Sequence, residues 1–103
     1  MRKPHPFDQA MFEIYYRAKA EVNYQANDFL KMLTERGGID TAKYLINKKT
    51  PSPGYGNLHE LGRLDLTVEA MIHCEKKWHS LFTTEEIEKI KKRLDDSRFK
   101  GCP

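Results

Sequence analysis

The chain has 103 residues, enough for one compact domain and too few for two independent cores. Hydrophobic residues make up 39% and charged residues 32%, which favours a polar but folded domain over a disordered chain. The formal charge of +3 is only mildly basic. No apolar run approaches the roughly 20 residues that a bilayer requires, and the N-terminus lacks the apolar segment of a signal peptide, so we expect a cytoplasmic protein without a membrane partner.

The first third of the chain has apolar residues at intervals of three and four, the period of an amphipathic helix. Asn23 interrupts this pattern, because Asn side chains bond to nearby backbone groups. We therefore predict two helices, at about 8 to 22 with Asp8 as the N-cap and at about 24 to 36, ended by the glycine pair at 37 and 38. A single continuous helix over 8–36 is the alternative prediction.

The middle of the chain predicts shorter elements. A helix is expected at about 41 to 47, after Asp40 as its cap. The segment NKKTPSPGYGN has two prolines and two glycines, which predicts a loop. Asn57 would then open a helical turn, LHELGR, and Asp65 or Thr67 would cap the helix that follows.

The C-terminal segment has the clearest helix signal. Thr83 and Glu86 have the spacing of a capping box, and an apolar stripe follows them. No segment alternates with a period of two. The sequence therefore predicts an all-α, compact orthogonal bundle of five to six short helices, in a single domain over 1–103 with its core at about 7–96 and a frayed tail at 97–103.

Residues with metal or thiol chemistry lack an organising motif. Two cysteines in a chain without an export signal predict free thiols, with Cys74 packed as a small apolar residue. HELGR has an arginine where the zinc-protease motif HExxH needs its second histidine. We predict no cofactor and no metal, although four side chains could ligate zinc if the fold gathered them: His73, Cys74, His79 and Cys102.

A polar group in the middle of the chain has two interpretations. His59, Arg63, Asp65 and Glu69 could form an acid–base site if they converge in one cleft. The simpler interpretation is an arginine–carboxylate brace between helices, with Arg63 more buried than an ordinary surface arginine.

Two clusters combine cations with aromatic or histidine side chains, a composition that suits phosphate contact and base stacking. Lysines near helix C-termini also complement the helix dipole and need no ligand. The predicted binding residues are Lys43, Lys48, Lys49 and Tyr55 in the first cluster and Lys76, Lys77, Trp78 and His79 in the second.

Three segments carry a family resemblance: YQANDFLKMLTERGGIDTAKYLI, GYGNLHELGRLDLTVEAMI and LFTTEEIEKIKKRL. Their order, over about 7 to 94, resembles small bacterial proteins of an uncharacterised all-helical family. The resemblance implies a self-contained helical domain built around the GG turn, the GRLDLTVE segment and the LFT helix cap. It implies no reaction.

The residues favour a cytoplasmic helical binding module over an enzyme. We expect it to contact nucleic acid or a protein partner through its lysine and aromatic surface. One alternative is a small hydrolase or nuclease-like enzyme that uses the His59, Arg63, Asp65 and Glu69 group. Another is a structural homodimer that buries Phe12 and Tyr16 against a second copy.

Overall fold

The computed structural model describes residues 5–102, and the secondary structure of these residues is helical, without a β-strand. The α-helices are α1 (Pro6–Val22), α2 (Asn27–Arg36), α3 (Gly38–Ile46), α4 (Pro53–Glu60), α5 (Val68–Cys74) and α6 (Thr84–Asp96). Two 3-10 helices, Leu64–Leu66 and Lys76–Leu81, stand before and after α5. The radius of gyration is 12.7 Å, close to the roughly 13 Å of a compact 100-residue domain. The predicted all-α bundle of short helices is confirmed.

The first apolar stripe forms two helices, as predicted. Asn23 ends α1 in the left-handed conformation, with φ of 54°, which Asn tolerates better than most residues. The predicted N-cap, Asp8, is wrong: His5 Nδ1 accepts a hydrogen bond from the Phe7 N–H, and the Asp8 carboxylate accepts one from the His5 N–H. The second helix begins at Asn27, three residues later than predicted, because the chain is not yet helical at 23–26.

The glycine pair forms the turn between α2 and α3. Gly37 ends α2 with φ of 82°, a conformation that favours glycine. The Gly38 N–H donates to Asp8 Oδ1 over 2.6 Å, and a Cβ at position 38 would lie only 2.5 Å from that oxygen. This contact ties the start of α1 to the start of α3. The third helix therefore begins at Gly38, before the predicted position 41.

The segment predicted as a loop contains α4. Ser52 Oγ accepts a hydrogen bond from the Tyr55 N–H, and Pro53 occupies the first helical position, where its missing N–H costs nothing. Asn57, predicted to open the helix, lies inside it. The loop prediction is wrong because Ser52 and Pro53 start a helix here despite the high proline and glycine content.

The last two α-helices begin as predicted. Thr67 caps α5 by accepting a hydrogen bond from the Ala70 N–H over 3.1 Å. Thr83 and Glu86 form a reciprocal capping box at the start of α6. The two helices pack against each other.

The chain after α6 returns to the body of the protein. Cys74, the last residue of α5, is disulfide-bonded to Cys102, so the prediction of free thiols is wrong. Spacing could not reveal this bond, because it depends on a reversal after α6 that includes Arg98, with φ of 57°. Phe99 packs against the core. Residues 97–102 are therefore attached at two points, although the sequence predicted that they fray.

Candidate binding surface and cleft

Two of the predicted surface aromatics belong to the core, which corrects the proposed binding surface. Tyr55 is 4% exposed, and its hydroxyl is hydrogen-bonded to the Arg93 carbonyl and to Ser97 Oγ. Trp78 is 7% exposed and packs edge-on against Phe7, with 5.3 Å between ring centroids. Both rings face inward because their segments are helical, whereas the prediction assumed an open loop and an open bend.

The predicted cations divide into paired and exposed residues. Lys43 is hydrogen-bonded to Glu86 Oε1 over 2.7 Å, a contact that links α3 to α6. Lys48, Lys49 and Lys76 are exposed. Lys77 is also exposed, with its ammonium 4.9 Å from the centre of the Trp78 ring. His79 is half-buried, and its Nε2 lies 2.9 Å from the Ile72 carbonyl oxygen.

A different aromatic residue occupies the exposed position. Tyr44 is 41% exposed, with the Arg36 guanidinium 4.7 Å and the Lys48 ammonium 4.9 Å from its ring centre. We call Arg36, Tyr44, Lys48 and Lys49 the basic face. The sequence does not single out Arg36 or Tyr44, although Tyr44 near the end of α3 is followed four residues later by Lys48, a spacing that allows contact.

The polar group around Arg63 forms the predicted brace. Its guanidinium donates to both carboxylate oxygens of Asp65, each over 3.0 Å, and to Glu21 Oε1 of α1 over 2.6 Å. The Arg63 side chain is 27% exposed. Its hydrogen bonds hold the pKa of Asp65 below the usual value, and those from Arg17 and Arg63 lower the pKa of Glu21.

The structure does not bring the four residues of the acid–base alternative into one cleft. His59 is exposed and lies with Asp65 beside a shallow cleft of about 420 Å³. Glu69 lines a different cleft and is bonded to Arg93. Arg63 is occupied by two carboxylates. The geometry of general acid–base catalysis, which needs hydrogen-bond reach, is not assembled here.

Glu86 is a buried carboxylate with several donors. Lys43 Nζ and the Thr83 N–H donate to its Oε1, and Asn47 Nδ2 donates to its Oε2. Burial raises the pKa of Glu86, but the donors outweigh this effect and lower it to about 2. The group is charged at neutral pH and fastens α6 to α3.

Glu69 is the second buried ion-paired carboxylate, at 3% exposure. Arg93 Nη1 donates to its Oε2 over 2.9 Å, and the same guanidinium donates to the Leu45 and Lys48 carbonyls at the end of α3. Burial raises the pKa of Glu69, and the hydrogen bond from Arg93 only partly offsets that rise.

Glu69 lines a cleft of about 610 Å³ between α1, α2, α4, the end of α3 and the start of α5. The sequence offered no sign of this cleft, because five separate segments form its walls. We call it the Glu69 cleft.

The four metal-compatible side chains have other partners or positions. Cys74 and Cys102 are bonded to each other, and the His79 ring faces the Ile72 carbonyl. His73 packs edge-on against Phe99. Residues 5–102 contain no group of three or more His, Cys, Asp or Glu placed to hold a metal ion.

The residues of the homodimer alternative lie on α1. Tyr16 is 58% exposed and its ring stacks on Phe12 with 6.5 Å between centroids. Phe12 itself is half-buried and packs against the core, so only Tyr16 offers a large exposed surface.

Comparison of the chain with protein-family models, curated proteins and solved structures gave no match. The resemblance to small bacterial helical proteins stays a prediction. None of the helices in residues 5–102 combines the length and apolarity needed to cross a bilayer.

Proposed function

We propose that the protein is a non-enzymatic binding module that contacts single-stranded nucleic acid through the basic face. The observation that carries this proposal is the exposed Tyr44 ring with two cations, Arg36 and Lys48, packed against it. Neither cation forms an ion pair with a carboxylate of residues 5–102, so both are free to contact phosphate.

The arrangement suits a nucleotide with an accessible base. A base that stacks on Tyr44 displaces one of the cations from the ring, and the displaced cation can then contact the neighbouring phosphate. Single strands expose their bases, whereas duplexes hide them, so we expect preference for single strands. A protein partner is less favoured, because the large exposed apolar side chains of residues 5–102 are scattered: Tyr16, Tyr44 and Leu61.

The proposal places the protein in the cytoplasm, where most disulfides are reduced. The basic face contains neither Cys74 nor Cys102, so its contacts with nucleic acid should not require their bond. We therefore expect nucleic-acid binding under both reducing and oxidising conditions.

Fluorescence anisotropy with labelled single-stranded and duplex DNA and RNA tests the proposal, at about 50 and 200 mM salt, where counterion release is diagnostic. Arg36→Gln with Lys48→Gln should reduce the slope of log K against log salt by about 1.4, or 0.7 for each lost contact to a single strand. Tyr44→Ala should weaken binding by about 1–3 kcal/mol through lost stacking. The matched control is Lys91→Gln with Lys92→Gln, two exposed cations on α6. Absence of binding at the lower salt, or equal loss in the control, would contradict the proposal.

A further inference from the structure

We infer that the Glu69 cleft binds a small organic cation, an amine that carries an apolar body. The cleft shares Tyr44 and Lys48 with the basic face, but the inference rests on Glu69 and does not depend on nucleic-acid binding. Its volume of about 610 Å³ lies within the roughly 300–1,000 Å³ of small-molecule sites.

The charges of the cleft favour a cation. Among the described residues that line it, the carboxylates are Asp28 and Glu69 and the one cation is Lys48. Lys48 is exposed and its ammonium lies over the Tyr44 ring, so water screens it. Glu69 is 3% exposed, and a charge in such surroundings acts more strongly on a ligand than a solvated one. Arg93 pairs with Glu69 but does not itself line the cleft, so Glu69 is the buried charged group that a ligand in the cleft would meet.

Glu69 also has capacity for another donor. Among the described residues, Arg93 is the side chain that donates a hydrogen bond to the Glu69 carboxylate, and it contacts Oε2. The Arg93 guanidinium is shared with the carbonyls of Leu45, Ile46 and Lys48. Oε1 accepts no side-chain hydrogen bond from the described residues, and a carboxylate can accept several hydrogen bonds, so we expect a ligand ammonium to bind at this oxygen.

The walls suit a cation with an apolar body. Aromatic faces attract ammonium groups, and apolar side chains provide surface for the rest of the ligand. The aromatic lining residues are Tyr15, Tyr24, Phe29, Tyr44 and Tyr55. The aliphatic ones include Ile14, Leu58, Leu66 and Val68.

Three probes of one shape test the charge preference: benzylammonium, benzyl alcohol and phenylacetate. Titration of the full chain, followed by amide NMR shifts, should give a dissociation constant of about 1 mM for benzylammonium. The constants for the other two probes should be larger by at least about tenfold. The shifting amides should be those of the cleft, such as Asn27, Leu58 and Thr67.

Variants locate the site. Glu69→Gln keeps the shape and removes the charge, so benzylammonium should lose its tenfold advantage over benzyl alcohol. Gly54→Leu should abolish binding of both, because Gly54 lines the cleft and a Cβ there makes only ordinary contact with the Tyr24 hydroxyl at 3.5 Å. Gly56→Leu is the matched control: it lies on the same helix with open space around its Cβ, and it should bind as the parent does.

Two outcomes would overturn the inference. One is that no probe shifts the cleft amides at up to about 10 mM, ten times the expected dissociation constant. The other is that phenylacetate binds as tightly as benzylammonium. Circular dichroism shows whether Glu69→Gln folds. If it does not, two experiments still test the inference: the comparison of Gly54→Leu with Gly56→Leu, and the three-probe series on the parent.

Discussion

Glu69 and Glu86 are both buried carboxylates, 3% and 6% exposed, and each is paired with a cation. Glu86 receives hydrogen bonds from three residues, and its pKa is lowered to about 2. Glu69 is bonded to Arg93, beside a cleft, and burial raises its pKa. All of the donors around Glu86 therefore come from the fold, whereas Glu69 is buried at a cost and lines a cleft.

The difference shows that burial of a charge does not by itself identify a functional site. An ion pair also stabilises packing, as Glu86 and Lys43 do between α6 and α3. The distinguishing features are the number of donors and the presence of a cavity, because a group that is fully hydrogen-bonded has nothing left for a ligand.

The largest expected effect concerns the disulfide that links the end of α5 to the tail after α6. Because the bond spans a sequence separation of 28, Cys102→Ser should lower the free energy of unfolding by about 3 kcal/mol. Urea denaturation of the oxidised parent and the variant measures this. Cys74→Ser with Cys102→Ser should match the single variant. Glu69 lies on α5, the helix that the disulfide ties to the tail after α6, so loss of the bond should shift the Glu69 pKa and leave that of Glu86 unchanged. Equal stability with and without the bond would contradict the account.

Glu86→Ala should have the next largest effect. It removes half of the capping box and leaves Lys43 without its carboxylate, so we expect a loss of about 2 kcal/mol in the free energy of unfolding. This loss is smaller than the usual cost of breaking a buried ion pair, because the Lys43 side chain is 35% exposed and can be hydrated again. Glu88→Ala, an exposed change on the same helix, should be nearly neutral. An equal loss of stability in Glu86→Ala and Glu88→Ala would show that Glu86 has no special role.

Glu69→Gln should change the free energy of unfolding by no more than about 1 kcal/mol. It removes a charge whose burial is unfavourable, while Arg93 keeps its three carbonyl partners. Urea denaturation beside Glu86→Gln makes the comparison direct. A loss of about 3 kcal/mol or more, the usual cost of breaking a buried pair, would mean that Glu69 is as structural as Glu86.

The two carboxylates should also differ in the sign of their pH dependence. Because the pKa of Glu86 falls from 4.5 to about 2 on folding, its contribution to stability is present above pH 4.5 and is lost as the pH falls toward 2. The pKa of Glu69 rises from 4.5, so its contribution declines as the pH rises above 4.5. Unfolding curves of the parent and each Gln variant across this range measure both slopes. If the contributions of Glu69 and Glu86 to stability changed with pH in the same direction, the contrast between the two carboxylates would be wrong.

Local features were predictable from the sequence, and features that depend on packing were not. The Thr83–Glu86 capping box and the Thr67 cap lie within one helical turn, so the spacing alone indicates them. Glu69 and Arg93 are 24 residues apart, and their contact exists only once α5 packs on α6. The sequence predicts an exposed Tyr55 because the proline and glycine residues around it hide the signal of α4.

The site was less predictable than the fold for the same reason. The brace around Arg63 was expected because Asp65 is two residues away, but its third member, Glu21, belongs to α1. The exposed ring of Tyr44 and the lining of the Glu69 cleft depend on how the helices pack. Such features depend on how deeply each side chain is buried and on the direction in which it points. The periodicity of the sequence fixes both only approximately.

The most direct test of the account is an NMR titration of the side-chain carboxyl carbons of Glu69 and Glu86, with and without benzylammonium. Without the probe, the pKa of Glu69 should lie above 4.5 and that of Glu86 near 2. With the probe, the pKa of Glu69 should fall, because a bound cation favours the charged form, and that of Glu86 should not move. A Glu69 pKa that the probe leaves unchanged would contradict the claim that this buried carboxylate is a ligand-binding group.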